Sequence, residues 1–309
     1  MTTSGYFITV PERSYRPCPV CNQLEVKPFL CKGELQLVLC TACGMIYVDP
    51  VPIAMATGAF YEAAGQEYLS ADKLESDYAD VRFERELRLF RSHCLRGALL
   101  DVGCSSGGFL HQLQKRFPND YKVAGTDVSS APLAHAAKMD VPVIRGDFLS
   151  HPFEEQFDAV TFWAVMEHLS EPKLFLKRAV SILKPGGLCF ILVPNMNSLA
   201  IKVLGAKYRY IFAEHLNYFT PQTLRKFVQP ELNVLELKST HFNPLVIWQD
   251  WREGGHEIPR SERAKLLKRT NAYKQSRWMF PIKAAYRASE MALGKFLMAD
   301  NLVILGRKK

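Results

Sequence analysis

With 309 residues, 48% hydrophobic and 23% charged, the chain has the composition of a globular protein able to bury a sizeable core. No apolar run reaches transmembrane length, and residues 1–17 lack the apolar centre of a signal peptide, so the expected compartment is the cytoplasm. The formal charge of +8 at pH 7 is concentrated in one stretch: residues 260–298 carry ten Lys and Arg against Glu262 and Glu290, and the remainder is balanced.

Residues 1–50 contain CPVC at 18–21 and CTAC at 40–43, two C-x2-C knuckles separated by eighteen residues. Four thiolates at this spacing close a tetrahedral zinc site, so Cys18, Cys21, Cys40 and Cys43 are the expected ligands of a zinc ribbon. The intervening VKPFLCKGELQLVLC supplies two short strands, and Cys31 falls outside the spacing as a spare buried thiol. Four sulfur ligands leave no open position for water or substrate, which makes the zinc structural. Few basic residues lie between the knuckles, which argues against a nucleic-acid partner.

Residues 51–95 read as a linker and helical lid. Tyr61 and Tyr68 fall near the entrance to the main domain, placed either against substrate or against the sheet. From about Ser76 one helix is expected, with Val81, Phe83, Leu87, Leu89 and Phe90 among charges.

Residues 96–309 alternate strands and helices. LLDVGCSSGGFL at 99–110 runs from an apolar strand closed by Asp101, through a Gly/Ser turn, into a helix start whose free amides suit a small polar ligand. Gly103 and Gly107 let the backbone turn, and Ser105 stands in the middle, a mild change if that position needs no positive φ. A second strand ends at Asp127, placed either to accept ribose hydroxyls or to cap the next helix with Ser129. VPVIRGDFLS reads as a short third strand, with Asp147 and Phe148 past its end, placed to bond and stack on an adenine. A fourth strand leads to Trp163, Glu167 and His168, and LCFILVPN is a fifth. ELNVLELKSTHF and DNLVILGRK are the sixth and seventh, with a basic helical insertion between them at about 245–298. The expected fold is therefore α/β: a Rossmann-like doubly wound seven-stranded sheet with a small N-terminal zinc ribbon and a helical insertion before the last strand.

DVGCSSGG, Asp127, GDF, FDAV…MEHLSEP and KPGGLCFILVPN together resemble class I S-adenosylmethionine (SAM)-dependent methyltransferases over most of residues 98–307. The resemblance implies SAM as cofactor, with Asp101, Gly103, Ser105, Gly107, Asp127, Asp147, Phe148 and Trp163 at its site. The glycine spacing differs from the G-x-G-x-x-G of NAD dehydrogenases. In the loop after the fifth strand, Glu214, His215, Tyr218 and Phe219 form E-H-x2-Y-F, which resembles a stretch of zinc-containing sugar C-methyltransferases and small-molecule O-methyltransferases. It implies His215 as general base, supported by Glu214 and Tyr218; His168 with Glu167 is a second candidate.

The expected reaction is methyl transfer to a small-molecule acceptor, a nucleotide-linked sugar or another anionic metabolite. The alternatives are an RNA methyltransferase using the ribbon and the basic insertion, and a SAM-binding scaffold without turnover. FWAVMEHL contains no Asn-Pro-Pro-Tyr-like loop, which counts against the first alternative. The basic stretch, with Trp248, Trp251, Trp278, Phe280, Tyr286 and Phe296 in or near it, fits a lid or dimer surface, a dock for phosphate-bearing substrate, or peripheral contact of residues 260–298 with an anionic membrane or RNA. The oligomeric state stays open.

Overall fold

The computed structural model describes residues 12–254, 260–275 and 280–309. The expectations on residues 1–11, Arg277 and Trp278 lie outside the described residues, as do the side chains of Arg260, Arg263, Lys274, Phe280 and Lys283. The chain enters on β1 (Arg13–Ser14) and forms a hairpin of β2 (Val26–Lys32) and β3 (Leu35–Cys40), which turns at Gly33 with φ 56°. β4 (Ile46–Val48) follows, then β5 (Val51–Pro52), which pairs back onto β1. Cys31, expected to be buried, is exposed, because it sits on the outer strand of this hairpin.

Short helices α1 (Ile53–Ala56), α2 (Ala59–Ala63) and α3 (Ala71–Asp77) cross toward the main domain, and α4 (Glu84–His93) covers the sheet with Leu87, Leu89 and Phe90. The single helix expected from Ser76 is thus two. It breaks where Asp77 and Tyr78 turn inward: Asp77 accepts from Ser106 Oγ at 3.0 Å, and Tyr78 donates to the Ser106 carbonyl.

The α/β domain follows the expected alternation: β6 (Gly97–Val102), α5 (Gly108–Arg116), β7 (Tyr121–Thr126), α6 (Ser130–Lys138), β8 (Phe157–Trp163), α7 (Pro172–Ile182) and β9 (Leu183–Pro194). Next come α8 (Leu199–Leu204), β10 (Asn217–Tyr218), α9 (Pro221–Val228), β11 (Leu232–Thr240), the inserted α10 (Pro244–Glu253), α11 (Arg260–Gln275) and α12 (Phe280–Lys295), and finally β12 (Asn301–Lys308). The main sheet has the order β11-β12-β9-β8-β6-β7, parallel from β9 to β7 and antiparallel at β12 and β11. β9 is apolar on both faces because both are covered: Phe190 and Leu192 face one core, Ile191 and Val193 the other.

Six strands form the sheet where seven were expected. The segment around Val143 reaches only a parallel bridge to Gly125, with two backbone bonds of 2.9 and 2.8 Å. Pro142 has no N–H to extend the ladder, and Gly146 at φ 111° turns the chain away. Among the described residues no helix is long and apolar enough to cross a membrane. α11 lies along α3, where Lys268 pairs with Asp72 (3.1 Å) and Glu75 (2.7 Å) and Asn271 donates to the Ser76 carbonyl.

The ribbon is joined to the rest by pairing. β10, from the loop before α9, adds to β4 and makes a four-stranded sheet, β10-β4-β3-β2. Beside this seam the Arg16 guanidinium donates to the carbonyls of Val48 (3.2 Å), Ser170 (2.8 Å) and Leu216 (2.7 Å) and to Asn217 Oδ1 (3.0 Å). Arg16 is 8% exposed; burial pulls it down to about 10, so it stays charged at neutral pH. Arg16→Ala strips donors from several buried acceptors at once and should lower stability by roughly 3–5 kcal/mol, read from urea unfolding. A loss below about 1 kcal/mol would assign the seam to strand pairing alone.

Candidate active site

The glycine turn sits at the carboxyl ends of the parallel strands, where α/β sheets bind ligands. Gly103 has φ 74°, and a Cβ there would lie 2.5 Å from Val165 Cγ2; Gly107 has φ 82° and forms the N-cap of α5. Ser105 also adopts positive φ, 51°. The middle position therefore does need the left-handed conformation, and the serine holds it at a strain of about 1 kcal/mol. Its N–H donates to Asp127 Oδ2 at 2.8 Å, which secures that conformation.

Asp127 closes β7 and also accepts from Ser129 N–H at 2.8 Å, so it braces both the turn and the start of α6. Burial pushes its carboxyl up. Its remaining lone pairs and the start of α5 make a donor–acceptor set, and the exposed Val128 beside it adds an apolar edge, which together fit a nucleoside with a charged tail. Asp101 lies beneath the turn: it is buried, accepts from Thr161 Oγ1 at 2.6 Å, and is pushed up to about 7 by burial. It therefore latches β6 to β8 from below. Asp147 is exposed, and its carboxylate accepts from the N–H groups of Leu149 and Ser150 and from Ser150 Oγ.

Two expected cofactor contacts fall elsewhere. Phe148 is 5% exposed and belongs to the core, its ring stacked on Phe175 at 5.5 Å, so it offers no face to an adenine. Aromatic packing with Phe153 and Phe162 captures it instead. Trp163 turns to the face covered by α4, against Phe109 and Phe190, and lines a cavity of about 330 Å³ with Glu86 and His241.

The turn leads directly to the histidines. Gly103 abuts Val165, and two residues further on come Glu167 and His168. The loop 213–218 closes over them: the His168 and His215 rings are 4.9 Å apart, edge to face. His215 Nδ1 lies 2.9 Å from the Tyr210 carbonyl, and His168 Nδ1 lies 2.9 Å from the Glu214 carbonyl. Tyr61 reaches His168 Nδ1 (3.0 Å) and donates to the Glu214 carbonyl (3.3 Å), while Tyr68 donates to Glu214 Oε2 (3.2 Å). Tyr218 is buried, and its hydroxyl donates to the Phe212 carbonyl, so it braces the loop. Glu214, His215 and Tyr218 thus come together with His168, Tyr61 and Tyr68.

Four contributors carried no signal in the sequence. Arg16 and Asn217 hold the loop, with the Asn217 amide donating to the Met166 and Leu169 carbonyls at 2.8 and 2.7 Å. Asp77 and Tyr78 clamp Ser106 in the glycine turn. None carries a local sequence signal, because each acts across more than 25 residues.

The four cysteines converge, with Cys18 and Cys43 sulfurs 3.4 Å apart, Cys21 and Cys40 3.5 Å apart, and all four within 4.8 Å. Tetrahedral zinc–thiolate bonds of about 2.3 Å require sulfur spacings of about 3.8 Å, so the set fits zinc. Burial raises Cys18 and takes Cys43 up to about 11, a penalty on close thiolates that a bound cation offsets.

The profile of a methyltransferase-domain family matches residues 76–230, half of the chain. A ubiquinone biosynthesis O-methyltransferase of Bradyrhizobium diazoefficiens is 33% identical over 167 residues, which are 49% of this chain and 64% of that protein. One from Acinetobacter baumannii is 31% identical over 172 residues, 48% and 68% of the two chains. This chain therefore spans about two thirds of these curated relatives, slightly less for the first. A possible histamine N-methyltransferase of Thermotoga maritima has TM-score 0.51 at 18% identity, covering 81% of this chain and 99% of that one. The [4+2]-cyclase SpnF has TM-score 0.50 at 19% identity, covering 84% and 98%. At these identities the likeness is one of fold.

Gly103→Ala should weaken SAM binding at least tenfold by calorimetry while leaving the circular dichroism spectrum intact, because the new methyl drives the turn off Val165. Ser105→Gly should go the other way in stability, neutral to about 1 kcal/mol more stable in urea. Equal destabilisation by both substitutions would contradict the strained-turn account.

Proposed function

Since the chain belongs to the methyltransferase-domain family and is a SAM-dependent methyltransferase, we propose that it methylates a small-molecule acceptor with His215 as the proton acceptor. The observation that carries this reading is the bond from His215 Nδ1 to the Tyr210 carbonyl. A carbonyl only accepts, so in the neutral ring Nδ1 holds the hydrogen and Nε2 the lone pair. SAM bound at the glycine turn supplies an electrophilic methyl group on a sulfonium sulfur.

Around that chemistry the protein positions groups and handles a proton. His215 Nε2 takes the proton of the acceptor hydroxyl. Glu214, oriented by Tyr68, and Tyr61, seated on His168, present hydrogen-bonding groups at the same place. We take a hydroxyl oxygen as the methylated atom, in line with the O-methyltransferase names of the relatives. An anionic acceptor, such as a nucleotide-linked sugar, is supported by the charge of residues 260–298.

Two observations favour a small molecule over RNA. The edge of β4 is taken up by β10, and Met45 and Tyr47 of the ribbon are fully buried, so the ribbon serves the catalytic loop. Lys268 of the basic insertion is spent on Asp72 and Glu75 of α3. Zinc on Cys18, Cys21, Cys40 and Cys43 is the structural metal of this reading.

With methyl-labelled SAM and separate pools of metabolites and RNA, label should enter the metabolite fraction. His215→Ala should lower turnover at least 100-fold with SAM affinity changed less than about twofold. Wild-type turnover in that variant would remove His215 from the mechanism. Elemental analysis should find zinc bound at one per chain. Stripping it with a chelator should expose the loop 213–218 to hydrogen exchange, because β10 pairs with the ribbon; unchanged protection would uncouple ribbon from loop.

A further inference from the structure

Glu167 is 1% exposed, deep under the loop that carries His215. Its backbone carbonyl accepts from Leu216 N–H (2.7 Å) and Asn217 N–H (3.0 Å), which pins it beneath that loop. Its Oε2 is buried and has no hydrogen-bond partner among the described residues. A carboxyl oxygen of Glu167, a ring nitrogen of His168 and a ring nitrogen of His215 all lie within 4.8 Å of one another. A carboxyl oxygen left unpaired in the interior is disfavoured, and in native proteins such an atom calls for a source of strain, a catalytic role, or a water or ion.

Proton transfer to His215 brings a charge to this cluster. The acceptor oxygen gives its proton to His215 Nε2 and uses its freed electron pair for the new bond to the methyl carbon, while the carbon–sulfur pair returns to sulfur. The ring then holds a full positive charge away from water. We propose that Glu167 is the positioning residue that balances this charge, with His168 packed against both groups. The inference rests on the reading of His215 as proton acceptor.

The groups facing the pair are consistent with that role. From the loop come Glu214 and Tyr218; from the N-terminal segment come Tyr61 and Tyr68, whose hydroxyls are directed at His168 and Glu214. From the ribbon Arg16 stops at Leu216 O and Asn217 Oδ1, so its charge is bonded to the far side of the loop. Burial pushes the Glu167 carboxyl up to about 8, so a neighbouring cation decides whether it is ionised at neutral pH. The interaction is reciprocal: ionised Glu167 raises the pKa of His215, and protonated His215 lowers that of Glu167.

The test is an NMR titration of the full-length zinc-loaded chain saturated with S-adenosylhomocysteine. His215 should titrate at least one pH unit lower in Glu167→Gln than in the wild type, and Glu167→Asp should recover most of that difference. On an identified acceptor, kcat of Glu167→Gln should fall at least tenfold with KM for SAM within twofold. Should Glu167→Gln fail to fold, the same coupling is read from the other side: Glu167 should titrate at least one unit higher in His215→Gln than in the wild type. Unchanged titration in either direction overturns the proposal. So does a second tightly bound divalent metal, beyond that of the four cysteines, lost in Glu167→Gln, since the three groups would then be its ligands. Full turnover by His215→Ala would instead strike the proton-acceptor reading, while the titration still reports whether the two groups are coupled.

Discussion

A buried guanidinium is tolerable only when its donors find acceptors, and the loop that carries the candidate base is built around that requirement. Arg16 enters from the ribbon side and meets carbonyls from β4, from the segment after β8 and from the loop 213–218, together with the Asn217 side chain. Asn217 passes the restraint on through its amide to Met166 and Leu169, the residues flanking Glu167 and His168. One cation therefore sets the relative position of two loops whose histidine rings meet. Neither loop contains regular structure long enough to hold itself.

This explains the place of the N-terminal ribbon, whose four cysteines converge apart from the histidines. Its strand β4 provides an edge on which two residues of the loop 213–218 can pair, and its knuckles pack into the same core as β8 and β9. Four close thiolates repel one another and a cation would pull them together, so a metal bound there would stiffen that edge. A rigid edge is what a two-residue strand needs, because so short a pairing contributes little on its own. The other wall of the site is formed by the N-terminal segment, which crosses Ser106 and Ser130 and is backed by α11.

How much could be read from residues alone follows from the range of the interactions. The alternation of strands and helices, the order of the glycine turn and the C-x2-C pairs depend on neighbours a few residues apart, and the structure has them as expected. Val143 failed as a full strand because Pro142 and Gly146 override the apolar pattern around them. Phe148 and Trp163 were misplaced for a different reason: an aromatic at a strand end can turn toward ligand or core, and only the partners decide. Phe175 and Phe109, each more than twenty-five residues away, decided here. Arg16 gave no signal at all, since nothing in a single arginine between Tyr15 and Pro17 announces four acceptors up to 201 residues distant.

Several unfavourable elements of the structure lie close together at one edge. Ser105 and Ala164 take left-handed backbone without being glycine, at φ 51° and 59°, one in the glycine turn and one where β8 leaves the sheet. Glu167 hides an unpaired oxygen three residues after Ala164, and Asp101 lies without solvent beneath the turn. Such strain persists only where the surroundings over-determine the conformation. Here the apolar two-faced core of β8 and β9, the Arg16 seam and the clamp of Asp77 and Tyr78 supply that determination from three sides. Relaxing any one of them would let the turn or the loop settle into cheaper geometry. The separation between the glycine turn and His215 would then vary. The rigidity of the site is therefore imposed from the ribbon and the N-terminal segment as much as from the sheet.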